Sequence, residues 1–218
     1  EIPGAVPEAL RDAVPEKILI EPPDFRFAGE LREYQKEGVA FLQWLTDRNF
    51  NALLADEMGL GKTVQILALL ASRLKRGGAP ALVVCPASLV VNWEREARRF
   101  VPDLVVAAPQ GNERKSFLAE KNDCNLLILS YAAARLSRDA LARIDFDFVI
   151  LDEAQHIKNP GSGNAKNCKI LKSRHRAVLT GTPLENSPED LWSVMDFLQP
   201  GMLGSLAEFR RRYADIAV

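Results

Sequence analysis

The chain predicts an α/β fold: a mostly parallel sheet with helices packed on both faces. Two observations carry that expectation. Six short apolar runs recur along the 218 residues, and none alternates with polar positions, which is how strands buried on both faces read. Amphipathic segments of helical period separate the runs. Strand following helix at this rhythm also requires right-handed crossovers between parallel neighbours.

Taken in order, residues 1–30 hold five prolines and little periodicity, and read as a linker or strap. From Leu31 the texture changes. Leu31, Tyr34, Gly38, Phe41, Leu42 and Leu45 recur at helical spacing, so LREYQKEGVAFLQWL predicts an amphipathic helix. The runs NALLA (51–55), ALVVC (81–85), LVVAA (104–108), NLLILS (125–130), FVILD (148–152) and AVLTG (177–181) predict strands. Segments 62–76, 88–100, 112–121, 131–143 and 164–173 predict the helices between them. In such sheets ligands bind at the carboxyl ends of the strands.

Composition narrows the class. Hydrophobic residues are 47% of the chain and charged residues 26%, which excludes a disordered polymer. No stretch approaches the roughly 18 apolar residues of a membrane span. The acidic, proline-broken opening is not a signal or transit peptide, and its lack of an initiator Met reads as a chain cut from something longer. Cys85, Cys124 and Cys168 are odd in number and widely spaced, fitting reduced thiols in a cytosolic protein. The expected location is cytoplasmic and nucleoid-associated, or nuclear. The net charge of −1 hides an asymmetry: residues 1–30 carry three basic and seven acidic side chains, and the rest 25 and 22. That excess is too small to announce a nucleic-acid binder by composition. Arg98-Arg99, Lys172 to Arg176 and Arg210 to Arg212 are local clusters, and a solvated helix face is their commoner meaning.

Two strand ends are chemically loaded. After NALLA comes DEMGLGKT (Asp56, Glu57, Met58, Gly59, Leu60, Gly61, Lys62, Thr63) and then a helix. Glycines let backbone N–H groups close on phosphate oxygens, and a helix N-terminus favours the anion. Lys62 would reach the β- and γ-phosphates and the Thr63 hydroxyl would ligand Mg²⁺. The strict pattern begins with Gly where Asp56 stands. A strand–turn–helix junction whose glycines only shape the turn is the plainer alternative. The required order of strand, loop and helix favours phosphate. The second end is FVILDEAQH, where Asp152 could hold Mg²⁺ and Glu153 could orient or deprotonate the attacking water. Acids complementing a helix dipole are the plainer alternative, which loses once the GKT loop shares the sheet. VVCPASLVVNWERE places Pro86, Ser88 and Asn92 where strand passes to helix, with Ser88 an N-cap candidate. LTGTPLEN places Thr180 and Thr182 at another strand end, where hydroxyls are usually caps and turns.

Together DEMGLGKT, DEAQHIKNP, LTGTPLEN and LWSVMDFLQPGMLGS resemble the superfamily-two helicase-like ATPases of the Swi/Snf class, which are double-stranded-DNA translocases and remodellers of protein–DNA complexes. LREYQKEGV is similar to that class's adenine-side motif and VVCPASLVVNWERE to its Ia motif, and the likeness covers roughly residues 25–213. The class also has the variant that opens on Asp56. The resemblance implies a RecA-like three-layer sandwich of the P-loop NTPase type, with ATP and Mg²⁺ as cofactors. After the linker or strap of 1–30, it implies an ATP-binding lobe over 31–204, and at 205–218 the start of a connection to a second RecA-like lobe that these residues lack. By position, Gln35 would contact adenine. Asp56 to Thr63 would hold the nucleotide, Asp152 and Thr63 the metal, and Glu153 would be the catalytic base beside Lys62. Thr180 and Thr182 would couple nucleotide state to DNA grip. Pro86, Ser88, Asn92, Ser130, Tyr131 and Lys158 would border the DNA track, through phosphates and independently of base sequence. Gln155 departs from the class, whose box often has His there, and His156 does not inherit that place. The implied partners are double-stranded DNA, the second lobe and DNA-bound proteins, with no membrane. The isolated lobe is expected to bind nucleotide and hydrolyse it poorly, because the class's arginine fingers sit on the second lobe. An RNA helicase lobe shares the ATP motifs, though the KNP extension and LWSVMDFL argue against it. A non-catalytic scaffold with a vestigial pocket would have lost one of Lys62, Thr63, Asp152 or Glu153.

Overall fold

The computed structural model describes residues 24–120, 123–181 and 188–213. Most of the 1–30 strap, and Thr182, lie outside the described residues. Six parallel strands form one sheet in the order β1-β6-β5-β2-β4-β3. They are β1 (Ala52–Leu54), β2 (Ala81–Cys85), β3 (Val106–Ala107), β4 (Leu126–Ser130), β5 (Asp145–Asp152) and β6 (Lys172–Leu179). The helices are α1 (Glu33–Asp47), α2 (Lys62–Arg73), α3 (Val90–Phe100), α4 (Gly111–Ala119), α5 (Tyr131–Leu136), α6 (Arg138–Leu141), α7 (Gly163–Lys169), α8 (Pro188–Leu198) and α9 (Leu206–Tyr213).

Both faces of the sheet are dry, which explains the unbroken apolar runs. Val83, Ile128, Ile150 and Leu179 point into one core with Leu42, Ile66, Leu70 and Trp93. Their neighbours Leu82, Leu127, Leu151 and Val178 point into the other, with Tyr131, Cys168 and Phe197. One side is built from α1 to α3 and the other from α5 to α8, so this is the expected three-layer sandwich. The described end of the strap joins the first core. Phe25 is fully buried, Phe27 stacks on Phe100 at 5.9 Å, and the Ala28 amide donates to Phe100 O at 2.7 Å.

Several boundaries differ from the sequence expectation. Strands β5 and β6 are eight residues each and begin earlier than predicted, pairing Asp145 with Lys172 and Phe146 with Ser173. The start of β6 alternates between exposed and covered positions, so it lacks the continuous apolar run that marks the buried half. Lys172 to Arg176 is therefore strand and not a helix face. Arg176 donates to Phe197 O at 2.6 Å and Leu171 O at 2.9 Å, and His175 packs on Phe148 at 5.0 Å. The helix predicted over 131–143 breaks at Ser137, whose hydroxyl accepts Arg114 Nε at 2.9 Å. Helix α1 is rotated from the predicted stripe. It buries Gln35, Val39, Leu42, Gln43 and Trp44, while Tyr34 and Phe41 are 38% and 42% exposed. Gln43 can be inside because its Nε2 donates to Ser72 Oγ at 2.8 Å.

The three thiols are free, as expected, with Cys85 and Cys168 buried and Cys124 half-buried. Burial pushes Cys85 and Cys168 up to about 12 and Cys124 up to about 11, with Asp152 adding to the effect at Cys85 and Asp123 at Cys124. Below those values the unreactive thiol form dominates, so at pH 8 only about 10⁻³ of Cys124 is thiolate. Iodoacetamide at pH 8 is expected to label Cys124 first and slowly, and all three rapidly in denaturant. Mass spectrometry of timed aliquots would show this, and rapid native labelling of Cys85 would contradict the buried placement.

Candidate nucleotide-binding site

The motif-bearing strand ends meet at one edge of the sheet. Strand β6 lies between β1 and β5, and Leu179 pairs with Leu54 on one side and Asp152 on the other. The ends are level, so the loop after β1 and the carboxylates after β5 stand about 10 Å apart, two strand spacings. Thr180 sits between them, 1% exposed, its amide donating to Leu54 O at 3.2 Å.

The loop is shaped as a cradle. Gly59 and Gly61 adopt φ of +87° and +81°, conformations that glycine takes without strain. A Cβ on Gly61 would stand 2.5 Å from Gln35 Nε2, whereas one on Gly59 would meet nothing within 4 Å. Gly61 caps α2 without a side-chain hydrogen bond, so the first amides of that helix face outward with their partial positive charge. Asp56 has a visible task where the strict pattern has glycine: its Oδ2 accepts Gln65 Nε2 at 2.9 Å and pins the loop to α2. A Cβ on Gly38 would run into the Gln65 carboxamide, so α1 approaches closely there. Lys62 Nζ donates to the loop's own carbonyls, Asp56 O at 2.7 Å and Glu57 O at 3.1 Å. These are neutral acceptors that a phosphate would outcompete. Thr63 opens α2 beside Lys62, half-buried. Glu57, Met58 and Leu60 are exposed on the loop, Met58 at 81%.

Gln35 is 7% exposed and ties α1 to the cradle. Its Oε1 accepts the Arg32 amide at 3.0 Å and its Nε2 donates to Leu60 O at 3.0 Å. Tyr34 OH donates to the same carbonyl at 3.0 Å. Tyr34 is therefore exposed because it belongs to the rim of the site, a role its apolar spacing concealed.

Asp152 is 6% exposed, and its carboxylate accepts Trp93 Nε1 at 2.7 Å and the Glu153 amide at 2.9 Å. Burial raises its pKa above the ordinary carboxylate value, opposed by the Trp93 hydrogen bond, raised further by the Glu153 charge, and lowered by the Glu153 amide and the Lys62 charge. The next residue turns sharply. Glu153 adopts φ +52° and ψ +62°, left-handed backbone that costs a non-glycine residue on the order of 1–3 kcal/mol. The packing below holds that turn. Tyr131 OH donates to Asp152 O at 2.9 Å, Tyr131 stacks on His156 at 4.8 Å, and Ser193 Oγ donates to Ile157 O at 2.6 Å. Trp93 and Ser193 were not singled out by sequence, because their polar atoms act across 59 and 36 residues.

The residues expected on a DNA track divide by exposure. Ser88 is exposed, and Pro86, Asn92 and Ser130 are half-buried at the carboxyl ends of β2 and β4. Ser88 does not cap a helix, since a 3₁₀ turn over Ala87–Leu89 precedes α3. Asn92 bonds within α3 to Glu96 and Arg95, and Ser130 caps α5 by accepting the Ala133 amide at 3.1 Å. Tyr131 is 5% and Lys158 8% exposed. Tyr131 supports Asp152 as above, and Lys158 Nζ pairs with Asp190 at 3.8 Å. The fold turns both of these side chains inward.

The donors suit a nucleotide carrying Mg²⁺. Among the described residues no three His, Cys, Asp or Glu side chains gather as a resident metal cluster. A Mg²⁺ that keeps several waters and the substrate phosphates needs only one or two protein oxygens, and Thr63 and Asp152 offer them. A cavity of about 820 Å³ lies instead at the opposite edge, among Pro80, Cys124, Leu127 and Phe146, and contains no motif residue.

Known proteins resemble this chain in sequence and in fold. The SNF2-related domain family matches residues 34–217. The putative ATP-dependent helicase/translocase YwqA of Bacillus subtilis is 40% identical over 192 residues, 86% of this chain and 21% of that protein. The TATA-binding protein-associated factor MOT1 of Saccharomyces cerevisiae is 35% identical over 199 residues, 84% of this chain and 11% of that protein. The Sulfolobus solfataricus SWI2/SNF2 ATPase core in complex with dsDNA superposes with a TM-score of 0.79 at 37% identity, covering 91% of this chain and 41% of that one. The chain thus spans about a fifth or less of these two curated relatives and about two fifths of the solved core. No helix among the described residues is long and apolar enough to cross a membrane.

Proposed function

We propose that this chain, which belongs to the SNF2-related family and has the RecA-like fold of a SWI2/SNF2 ATPase core, is the ATP-binding lobe of a DNA-dependent translocase. The observation that carries the reading is the level edge of β1, β6 and β5. An uncapped helix N-terminus with Lys62 stands at the end of β1 and Asp152 with Glu153 at the end of β5, with β6 between them.

The roles follow from position. The α2 amides and Lys62 hold the β- and γ-phosphates. Asp152 and Thr63 would hold Mg²⁺, which would neutralise charge on the transferring phosphoryl group. Glu153, projected by its left-handed backbone, positions the attacking water and takes its proton. Thr180 spans the two halves and reports nucleotide state to neighbouring strand ends. Duplex DNA is the polymer proposed for the edge at Ser88 and Ser130, gripped through its phosphates. A second lobe completes the cleft. The segment 31–204 is the proposed lobe, with 205–218 leading toward its partner, although α9 already packs on α8 through Arg210 and Glu189 at 2.6 Å.

Calorimetric titration tests the cradle. Lys62→Ala is expected to weaken ATP·Mg²⁺ or ADP binding about 10–100-fold, from loss of charge-assisted hydrogen bonds worth about 1.5–3 kcal/mol. Superimposable isotherms for the two proteins would remove Lys62 from the site. Stimulation of the full-length ATPase by duplex DNA and not by RNA is the matching test of the polymer.

A further inference from the structure

The loop that would cradle phosphate opens on two acids, Asp56 and Glu57, and Asp56 stands where the strict motif has glycine. A carboxylate there repels phosphate, and it offers Lys62 an ion pair that a phosphate would first have to break. Glu57 is exposed and screened by water, whereas Asp56 is half-buried. The fold keeps the Asp56 charge away from the lysine. Both hydrogen bonds that Lys62 Nζ makes go to carbonyls, Asp56 O at 2.7 Å and Glu57 O at 3.1 Å. The Asp56 carboxylate turns instead to α2, where its Oδ2 accepts Gln65 Nε2 at 2.9 Å.

Gln65 is the fourth residue of α2 and 1% exposed. A carboxamide so deeply buried needs a polar partner, and Asp56 supplies it. Room for the carboxamide comes from α1. A Cβ on Gly38 would stand 2.1 Å from Gln65 Oε1 and 3.2 Å from its Cδ. The backbone of Gly38 does not call for glycine, since its φ is not positive, and inside a helix glycine is destabilising relative to alanine. The close approach to Gln65 is what the missing side chain permits. Gly38, Gln65 and Asp56 therefore form one arrangement that runs from α1 through α2 to the loop.

We infer that Gln65 is a positioning residue of the nucleotide site: it holds the Asp56 carboxylate off Lys62, with Gly38 giving it room, so that the lysine stays free to take phosphate. The inference deepens the proposed function and rests on its nucleotide reading of this loop. It supplies the physical reason why an aspartate can stand where the strict motif has glycine. Gln65 acts through Asp56, and its carboxamide matters because of the charge it restrains.

Gln65→Met keeps the length of the side chain and removes its amide. The released carboxylate then competes for Lys62. Calorimetric titration of the full-length protein with ADP·Mg²⁺ should show affinity lowered at least about threefold, the scale of a partly exposed ion pair that must be broken. Gly38→Ala should weaken binding in the same direction by pushing the carboxamide aside. The fold should tolerate it, because the displaced atoms are the tip of a flexible side chain and alanine is the better helix former. Asp56→Asn supplies the readout that a merely structural glutamine would not move. It keeps the size of the side chain and removes its charge, so in that background Gln65→Met and Gly38→Ala should each change ADP affinity by less than about twofold. Unchanged affinity in both single variants, or a loss that persists in full beside Asp56→Asn, would overturn the positioning role while leaving the nucleotide site in place. A wild type that binds no ADP·Mg²⁺ would overturn the nucleotide reading itself, and the role of Gln65 with it.

Discussion

Glu153→Gln, in a full-length protein that carries this segment, is expected to lower ATP turnover about 10²–10⁴-fold, the usual contribution of a positioned general base. ATP affinity should change by less than about threefold, because the cradle of Gly59, Gly61 and Lys62 lies on a different strand end. The geometry makes the residue hard to replace. Its backbone sits at φ +52°, and that strain is held by Tyr131 beneath Asp152 and by Ser193 on Ile157. Glutamine keeps size and backbone and removes only the basic oxygen. A protein of residues 1–218 alone should turn over ATP close to background with or without DNA, because stabilisation of the transferring phosphoryl group from across the cleft is worth on the order of 10³–10⁵ in related enzymes. Steady-state phosphate release with wild type, Glu153→Gln and the 218-residue segment measures all three. Robust turnover by the segment, or by Glu153→Gln, would refute this assignment of the catalytic half.

Trp93→Ala should be the most damaging single core substitution near the site, costing about 3–5 kcal/mol. The ring is 1% exposed, and its Nε1 donates to Asp152 at 2.7 Å, so truncation both opens a cavity and strips a donor from a buried carboxylate. Trp93→Phe separates the two effects by keeping most of the ring. The Trp93 hydrogen bond lowers the Asp152 pKa against the upward push of burial, so its loss moves that pKa further up. The folded chain then holds the Asp152 proton more tightly than the unfolded chain does. Stability tied to that proton is present below the ordinary carboxylate value and is lost as pH rises through the raised folded value. Trp93→Phe should therefore destabilise more at pH 8 than at pH 5. Urea unfolding at the two pH values, with carboxyl ¹³C titration of Asp152, tests both parts. Equal losses at the two pH values would show that the hydrogen bond does not tune Asp152.

How legible this was from sequence follows the range of the interactions involved. The apolar runs of β2 and β4 identify buried strands by themselves, because both faces of the sheet are covered and every side chain must be apolar. The strand–glycine–lysine order at β1 and the carboxylates ending β5 are equally local, since each motif is written in consecutive residues. The polar start of β6 is different: Lys172 to Arg176 is strand only because β5 pairs with it, and no window of sequence contains that partner. The same holds for α1, whose buried face includes Gln35 and Gln43 because Leu60 and Ser72 receive their hydrogen bonds.

Placement in space needed the tertiary structure for the same reason. The sequence by itself determined which motifs the chain carries, DEMGLGKT and DEAQH among them, and in what order along a parallel α/β chain. Only the folded sheet decided that β6 separates the two loaded strand ends, with Leu54, Leu179 and Asp152 in register. It also turned Lys158 and Tyr131 inward. Strand order and burial are sums of many long-range contacts, and a side chain's surroundings are set by whichever distant segments those contacts bring to it.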